Sequence, residues 1–243
     1  MPVTIVSISG RAEKGISRPF FCEGDDGCSY FVKGGNLSGD QLVIEYVISR
    51  LAEECGLPVA PVALVEIPEA LTRYSLVDQP NEFRAGPAFG SQVIPFADEL
   101  RSSHLRQVEE EAKIRVLCFD WWVRNPDRTM GILGGDPNLL WDPVLQNIAL
   151  IDHDQCLAED FDETAFKQEH AFRDVRPFIE KTFYGKWRTK FESTIYHLGK
   201  IWEELPVEWL EDGSGIEKTS LSLSDVEARL MKPELPADGI LPS

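Results

Sequence analysis

Short runs of β-branched and aromatic residues dominate the start of the chain. The run VTIVSI (3–8) predicts a strand. FFCE and CSYFVK stand on either side of the polar turn EGDDG, which is the pattern of a β-hairpin. These runs together predict a small antiparallel sheet.

The next pattern has the spacing of a helix. Apolar residues recur every three or four positions over 39–55, and Gly56 supplies a stop signal. Two more strands are predicted at 58–67 and 91–96. Residues 75–90 are rich in Pro, Gly and Asn and predict a loop.

After Asp98 the hydrophobic pattern is helical, with one interruption. A long amphipathic segment over 99–123 and an aromatic-rich segment over 162–205 predict helices. Between them, NLLWD and NIALID are short apolar runs that predict a second hairpin.

These patterns predict an α+β fold in two lobes. Residues 1–96 are expected to form a strand-rich N-lobe, an antiparallel sheet with one helix, and residues 97–210 a helix-rich C-lobe with the second hairpin. A hinge-like stretch lies near 93–97. Residues 211–243, rich in Ser, Gly and Pro, predict a partly disordered extension with one short helix, for which Ser224 is a candidate N-cap. Two lobes predict a cleft, and clefts host ligands.

Composition narrows the possible partners. The 243 residues include 24 lysines and arginines against 41 aspartates and glutamates, which gives a net charge of −17 at pH 7. So acidic a chain repels nucleic acid and anionic membranes, and we expect neither as a partner. Solubility is the simplest reason for the acidity, but a charged partner would be basic.

The cysteines and the absence of long apolar runs favour the cytoplasm. The five cysteines are odd in number and include no CxxC pair, which favours reduced thiols over a disulfide framework or a zinc site. The sequence shows no signal-peptide pattern and no run of about 18 apolar residues, so we expect neither secretion nor a membrane span.

Three polar residues of the second half carry the candidate chemistry. Asp127 stands in RNPDRT, just after a predicted helix, where a carboxylate can act as a general base or orient a hydroxyl; an ordinary turn aspartate is the alternative. Asn138 and Asp152 stand at ends of the two runs of the predicted hairpin, so their oxygens can converge into a site suited to Mg²⁺. Two polar strand ends facing solvent are the alternative, although Asp152 directly follows an apolar run. A base, then an asparagine, then a metal-binding aspartate is the chain order of kinase-type phosphoryl transfer.

The first lobe offers candidate phosphate ligands. Lys33 ends the predicted strand SYFVK and can reach the phosphates of a nucleotide, with Glu45 on the following helix as its partner. A surface lysine and a solvated glutamate are the alternative. GRAEKGIS (10–17) lacks the Gly-Lys-Ser/Thr ending of a P-loop. It can still form a loop over phosphates, with Arg11 or Lys14 as donors, or a plain connection.

In this order and spacing, the residues resemble the HipA-like kinase family, in the compact branch that carries little beyond a kinase domain. The resemblance extends over residues 3–210. It rests on Lys33 on a strand, Glu45 on the next helix, NPDRT at 125–129, PNLL at 137–140, LIDH at 150–153, the passage EYVISRLAEECGLPVAPVALVEIP, and FGS at 89–91. It implies a two-lobed protein-kinase-like fold that uses ATP and Mg²⁺.

The resemblance also implies roles for residues at the nucleotide and the acceptor. Lys33 would hold the ATP phosphates, and Glu45 would fix Lys33. Asp127 would be the catalytic aspartate that receives or orients the substrate hydroxyl. Ile94 and Phe96, in the hinge-like stretch, are predicted to contact the nucleotide.

The metal ligands implied by the resemblance are Asn138 and Asp152. One departure concerns Asp136, since the segment MGILGGD lengthens the connection and places an aspartate where the family pattern has an asparagine. Either Asp136 or Asn138 is therefore the second metal ligand.

The sequence thus predicts an ATP- and Mg²⁺-dependent kinase that phosphorylates a hydroxyl, most simply Ser or Thr of a protein substrate. A small-molecule phosphotransferase of the same fold is one alternative. A nucleotide-binding pseudokinase that acts as a binding module is another. Acceptor choice lies in loops, so the sequence leaves the three open, together with the oligomeric state.

Overall fold

The structure of the chain is a computed structural model. It describes residues 2–12, 18–35, 37–74, 83–131, 136–178, 181–211 and 218–231.

Contacts divide the chain into two compact units. Unit 1 comprises Met1–Tyr46, Ala60–Ile94 and Glu204–Leu221, and unit 2 comprises Val47–Val59, Pro95–Glu203 and Ser222–Ser243. Each unit is built from separate stretches of the chain: residues 47–59 belong with unit 2, and residues 204–221 belong with unit 1.

Five strands build unit 1. They are β1 (Val3–Arg11), β2 (Phe20–Gly24), β3 (Ser29–Lys33), β4 (Val62–Ile67) and β5 (Gly86–Gln92). They close into a barrel in the order β1-β2-β3-β5-β4. All neighbouring pairs are antiparallel except β1 with β4, which is parallel. The expected antiparallel sheet is therefore corrected to a closed barrel with one parallel pair. β4 follows a helix, and a helical connection lets a strand return in the direction of an earlier one.

The barrel is filled by side chains that alternate along its strands. The buried interior residues on the strands are Ile5, Phe20, Cys22, Tyr30, Val32, Val65, Ile67 and Ala88, and Phe83, which precedes β5, packs with them. Gly90 of β5 is required by close packing, because a Cβ there would lie 2.7 Å from Val65 Cγ1.

The fifth strand corrects the prediction for 75–96. The structure places β5 at Gly86–Gln92, within the expected loop and largely before the expected strand. Because glycine and proline are uncommon within strands, its glycines and Pro87 make this strand difficult to predict from the sequence. The pairing of β5 with both β3 and β4 fixes it as a strand.

The remaining elements are mostly helical. The helices are α1 (Gly39–Glu54), α2 (Glu69–Tyr74), α3 (Glu110–Trp122), α4 (Glu163–Glu169), α5 (Lys181–Thr194), α6 (Leu198–Glu203), α7 (Val207–Leu210) and α8 (Leu223–Met231), with 3₁₀ turns at Arg173–Phe178 and Ile195–His197. In unit 2, β6 (Asp98–Glu99), β7 (Leu139–Asp142) and β8 (Asn147–Leu150) form a sheet in that order. No helix within the described ranges has both the length and the apolar character needed to cross a membrane.

The long helix predicted from residue 99 begins only at Glu110. Residues 98–99 form β6 instead, and local turns follow. The His104 N–H donates to the Arg101 carbonyl at 2.8 Å, and the Arg101 N–H donates to His104 Nδ1 at 3.2 Å. These local bonds satisfy backbone groups outside a helix, which amphipathic spacing alone does not reveal.

The described part of the C-terminal extension contains α8. The Asp225 N–H donates to Ser222 Oγ at 3.2 Å, and the Ser222 N–H donates to Asp225 Oδ2 at 2.9 Å. This reciprocal pair is a capping box, so Ser222 rather than Ser224 is the N-cap. The disorder expected at the chain end falls outside the described residues.

Candidate active site

Lys33 and Glu45 form a buried ion pair in unit 1. Lys33 is the last residue of β3, and Glu45 lies near the middle of α1. Lys33 Nζ is 2.9 Å from Glu45 Oε2, and the side chains are 7% and 1% exposed. Leaving either charge buried alone would be costly, so each stabilises the burial of the other. The structure thus joins the lysine and the glutamate that the sequence predicts as partners.

The other residues predicted to contact the nucleotide are Arg11, Lys14, Ile94 and Phe96. Arg11 ends β1, where its Nε donates to the Arg18 carbonyl at 2.8 Å and its guanidinium lies 5.0 Å from the centre of the Phe20 ring. Lys14 lies outside the described residues. Ile94 is half-buried.

Phe96 has an unusual conformation. It is 83% exposed and has a φ of 65°. A large exposed aromatic residue in the left-handed region is uncommon, and such residues cluster at functional sites.

Helix α3 of unit 2 ends in a turn that presents Asp127. Arg124 has a φ of 50°, and the Asn125 N–H donates back to the Asp120 carbonyl at 2.8 Å, so the chain leaves the helix before Pro126. The side-chain oxygen of Asn125 then accepts the Asp127 N–H at 3.0 Å. Asp127 itself is exposed, as contact with a substrate requires.

Asn138 ties Asp127 to the β7–β8 hairpin. Its Nδ2 donates to Asp127 Oδ2 at 2.8 Å. Its carbonyl accepts from Arg128 Nη1 at 2.6 Å and from the Ile151 N–H at 3.1 Å. Asn138 has a φ of 50°, which asparagine tolerates better than most residues. These bonds hold its amide against the Asp127 carboxylate.

Asp136 turns toward the backbone of the same loop. Its Oδ1 accepts the Asn138 N–H at 3.2 Å, an Asx turn, and its side chain is exposed. Of the two candidates for the second metal ligand, Asn138 is therefore the one that contacts the Asp127 side chain.

Asp120 anchors this loop from inside α3. Asn125 Nδ2 donates to its Oδ1 at 3.0 Å, and Arg128 Nε donates to its Oδ2 at 2.7 Å. His170 Nε2 lies 3.0 Å from the same Oδ2. Through Asn125 and Arg128 the network reaches both Asp127 and Asn138, so the hydrogen bonds form a closed ring.

Charge pairing keeps Asp120 ionised. Burial would raise the pKa of Asp120, but Arg128 and His170 outweigh it and lower the pKa to about 2. Burial lowers the pKa of His170, an effect that Asp120 partly offsets. His170 Nδ1 accepts the Phe172 N–H at 3.0 Å, so a neutral ring carries its proton on Nε2 and donates it to Asp120.

Asp152 and Asp154 follow β8 and share one small region of unit 2. A carboxylate oxygen of each lies within 4.8 Å of the other. Asp152 has a φ of 58° and is half-buried, and Asp154 is buried. His153 between them is fully buried, and its Nδ1 lies 3.0 Å from Ser49 Oγ. The buried histidine anchors the turn that carries the two aspartates.

Several carboxylates of unit 2 affect the pKa of Asp127. Its pKa is raised, first by partial desolvation of the carboxylate and then by the charges of Asp152, Asp154 and Asp136, although the bond from Asn138 lowers it. Carboxylates gathered in this way repel one another, and a divalent cation among them would relieve that repulsion.

Sequence reasoning missed several residues of this arrangement. They are Asp120, Asn125, Arg128, Asp154 and His170. A signal for Asp120 was present, because a carboxylate inside the apolar run LCFDWW must find a buried partner. The D-x-D spacing of Asp152 and Asp154 was a signal for the second carboxylate.

A cavity of about 410 Å³ in unit 2 lies apart from these groups. Its lining includes Pro58, Glu109, Arg115, Leu145 and Asn147. Leu145 and Asn147 belong to the turn end of the β7–β8 hairpin, whereas Asn138 and Asp152 flank its open end. The predicted site residues are not among those that line this cavity.

The barrel, the buried lysine–glutamate pair and the aspartate-bearing loop are features of an α+β, kinase-like phosphotransferase. The chain belongs to the HipA-like kinase family, whose model matches residues 5–237, and this confirms the resemblance seen in the sequence. Among solved structures, the crystal structure of the Helicobacter pylori proinflammatory kinase CtkA is similar, with a TM-score of 0.50. It shares 11% sequence identity, over 92% of this chain and 91% of that one, and so supports the fold alone. No curated protein matches the chain.

Proposed function

We propose that the protein transfers the γ-phosphoryl group of ATP, with Mg²⁺, to a Ser or Thr hydroxyl of a protein substrate. The observation that carries the proposal is the hydrogen bond from Asn138 to Asp127, backed by the ring of bonds to Asp120. A ring that orients one exposed carboxylate suits a reaction in which positioning supplies most of the catalysis.

In the proposed reaction, Asp127 accepts a hydrogen bond from the acceptor hydroxyl and takes its proton as the oxygen attacks the γ-phosphorus. The bond from that phosphorus to the β,γ-bridging oxygen breaks, and ADP leaves with the electron pair. The raised pKa of Asp127 brings this carboxylate closer to the working pH, which favours proton transfer.

Lys33 holds phosphate oxygens of ATP in this proposal, and Glu45 holds Lys33 in place. Their contact at 2.9 Å supports both assignments. We assign Ile94 and Phe96 to the base of the nucleotide, and Arg11 and Lys14 to donors over the phosphates.

The residues present suit a divalent metal ion, because the candidate ligands are oxygens and because, after desolvation, the charges of the neighbouring carboxylates raise the pKa of Asp127. Asp152 and Asn138 would hold the ion. Asp154, within 4.8 Å of Asp152, is a further candidate ligand and Asp136 a weaker one. When bound, the ion supplies positive charge beside the phosphates.

We infer a basic segment near the acceptor hydroxyl, because the net charge of −17 attracts a basic protein. The five cysteines are free thiols, which supports a reducing compartment such as the cytoplasm as the place of the reaction.

The test uses purified protein, labelled ATP, Mg²⁺ and a mixture of protein acceptors that includes basic ones. Wild type is compared with Asp127→Asn, Asp152→Asn and Asp98→Asn, the last being an exposed aspartate outside the network. We expect label on Ser or Thr with wild type and Asp98→Asn, and its loss with the other two variants.

Other results decide against parts of the proposal. Label that passes only to small hydroxyl compounds would make the protein a small-molecule phosphotransferase. ATP binding without any transfer would make it a pseudokinase. Equal transfer by wild type and Asp127→Asn would remove Asp127 from the chemistry.

A further inference from the structure

A segment from the C-terminal part of the chain packs within unit 1. It consists of residues 204–211 and 218–221, and we call it the clasp. The clasp includes α7 and lies in the sequence between α6 and α8, two helices of unit 2. It bonds to α1 at two places and to the barrel at a third.

The first contact is at the start of α1. Ser38 and Gln41 already cap this helix, since the Ser38 N–H donates to Gln41 Oε1 at 3.1 Å and the Gln41 N–H donates to Ser38 Oγ at 3.3 Å. The carboxylate of Asp40 is therefore not needed for capping and bonds to the clasp instead.

Three hydrogen bonds from the clasp converge on Asp40. Its Oδ1 accepts from Thr219 Oγ1 and from the Ser220 N–H, both at 2.6 Å, and its Oδ2 accepts from Ser220 Oγ at 2.8 Å. Burial alone would raise the pKa of Asp40, but these bonds lower it. The ionised carboxylate is thus the form that the clasp holds.

The second contact is at Tyr46, the residue after Glu45. Its hydroxyl donates to Glu204 Oε2 at 2.7 Å, and the tyrosine is 5% exposed. Asp40 and Tyr46 lie on either side of Glu45 in the sequence, about 9 Å apart along the helix axis. The two ends of the clasp therefore hold the part of α1 that carries Glu45.

The third contact is with the barrel. Trp209 of the clasp is fully buried, and its Nε1 donates to the Pro87 carbonyl of β5 at 3.2 Å. The Thr219 N–H donates to the Trp209 carbonyl at 2.8 Å, which joins the two parts of the clasp. One segment thus contacts both the helix that carries Glu45 and the barrel that carries Lys33.

We propose that the clasp sets the position of α1 against the barrel and so holds Glu45 against Lys33. Asp40, Tyr46 and Trp209 are then positioning residues for nucleotide binding, an inference that rests on the proposed kinase function. Without the clasp, α1 keeps its cap but loses two attachments. Glu45 then leaves Lys33 in a fraction of molecules, and ATP affinity falls by the fraction that remains competent.

The test compares the full chain with the double variant Asp40→Asn/Tyr46→Phe, which removes one charge and one hydroxyl with little change in shape. The control is Ser222→Ala, which removes the cap of α8 in unit 2. Three quantities are measured: hydrogen exchange of the α1 amides over 42–48, the Kd of ATP with Mg²⁺, and kcat with KM for ATP.

We expect faster exchange in α1 and a Kd and KM for ATP raised about tenfold, with kcat at saturating ATP nearly kept, as for a competent fraction of about one tenth. Ser222→Ala should leave all three quantities as in wild type. Unchanged exchange or unchanged Kd in the double variant would overturn the inference, as would equal changes in the control.

The design separates this inference from the proposed function. If wild type neither binds ATP nor transfers phosphate, the proposed function fails, and exchange in α1 alone then decides whether the clasp positions the helix. If wild type is active and the double variant matches it in exchange and Kd, only the clasp is wrong.

Discussion

Asp120 is the residue on which the hydrogen bonds of the loop that carries Asp127 converge. It is fully buried in α3 and contacts Asn125, Arg128 and His170. A carboxylate in such a place is stabilised only by its partners, and the partners in turn depend on it. The buried charge of Asp120 therefore helps to fix the position of the exposed Asp127.

We predict that Asp120→Ala lowers the free energy of unfolding by about 3–5 kcal/mol, because it leaves the buried Arg128 without its counter-ion. The matched control is Asp98→Ala, which breaks an exposed pair with Arg101 and should cost less than about 1 kcal/mol. Urea unfolding followed by tryptophan fluorescence measures both values. Equal losses in the two variants would show that the network carries no special share of the stability.

The same residue predicts a dependence of stability on pH. The folded pKa of Asp120, about 2, lies below its ordinary value of 3.8, so its contribution is complete above the ordinary value and is lost as the pH falls toward 2. Unfolding free energies measured across this acid range should fall less steeply for Asp120→Ala than for wild type. Parallel curves would contradict the assignment.

The contribution of Asp127 to the pH dependence of stability has the opposite sign. Its raised folded pKa means that the ionised carboxylate costs stability at neutral pH, and this cost disappears as the pH falls through the folded pKa. We predict that Asp127→Asn loses about 10²- to 10⁴-fold in kcat while its melting temperature stays equal to wild type or rises. Rate assays and calorimetry give the two numbers; a large fall in melting temperature would mean that Asp127 is structural.

At the scale of elements, local sequence patterns predicted those helices and strands that are determined by residues close together in the sequence. The hairpins β2–β3 and β7–β8 and the helix α1 follow from short-range periodicity. The strand β5 and the late start of α3 do not, because pairing across the barrel decides the first and local turns the second. The same distinction applies to the candidate site. The order of Lys33, Asp127 and Asp152 could be read from the sequence, whereas the contact of Asp120 with His170, fifty residues away, could not.

At the open end of the β7–β8 hairpin, the backbone conformation of Asn138 and its side-chain amide can be tested separately. Asn138 has a φ of 50°, so Asn138→Gly keeps the conformation while removing the amide that bonds to Asp127. We predict a similar loss of kcat in Asn138→Gly and Asn138→Ala. Only the alanine variant should lose about a further 1 kcal/mol of unfolding free energy, from strain at positive φ.

Gln146, at the turn end of the same hairpin, is the matched control. It also has a φ of 50° but is exposed and distant from Asp127 in the sequence. Gln146→Gly should keep full activity and equal or exceed wild type in stability. If Asn138→Gly also keeps full kcat, the amide of Asn138 does not orient Asp127 for the proposed reaction.

At the scale of the whole molecule, the chain order and the contact units differ in a way that bears on function. Residues 204–221 lie in the sequence between α6 and α8 of unit 2 but belong with the barrel of unit 1. A segment between two helices of unit 2 thus contacts the helix that bears Glu45. Under the proposed role of the clasp, we expect changes in residues 204–221 to alter ATP affinity without a direct contact to the nucleotide.

The net charge of the protein should affect its choice of acceptor. The charge of −17 attracts a basic acceptor through the long-range field of the protein, and salt screens that field. We predict a higher kcat/KM for a Ser-containing acceptor flanked by lysines than for the same acceptor with glutamines in their place. Raising the salt from about 0.05 M to about 0.5 M should shrink this difference, since the Debye length falls to a few ångströms. Initial rates at saturating ATP measure the effect, and the glutamine acceptor controls for salt effects on the enzyme itself. A preference that is absent at low salt, or that persists unchanged at high salt, would place the choice of acceptor in short-range contacts rather than in the acidic field.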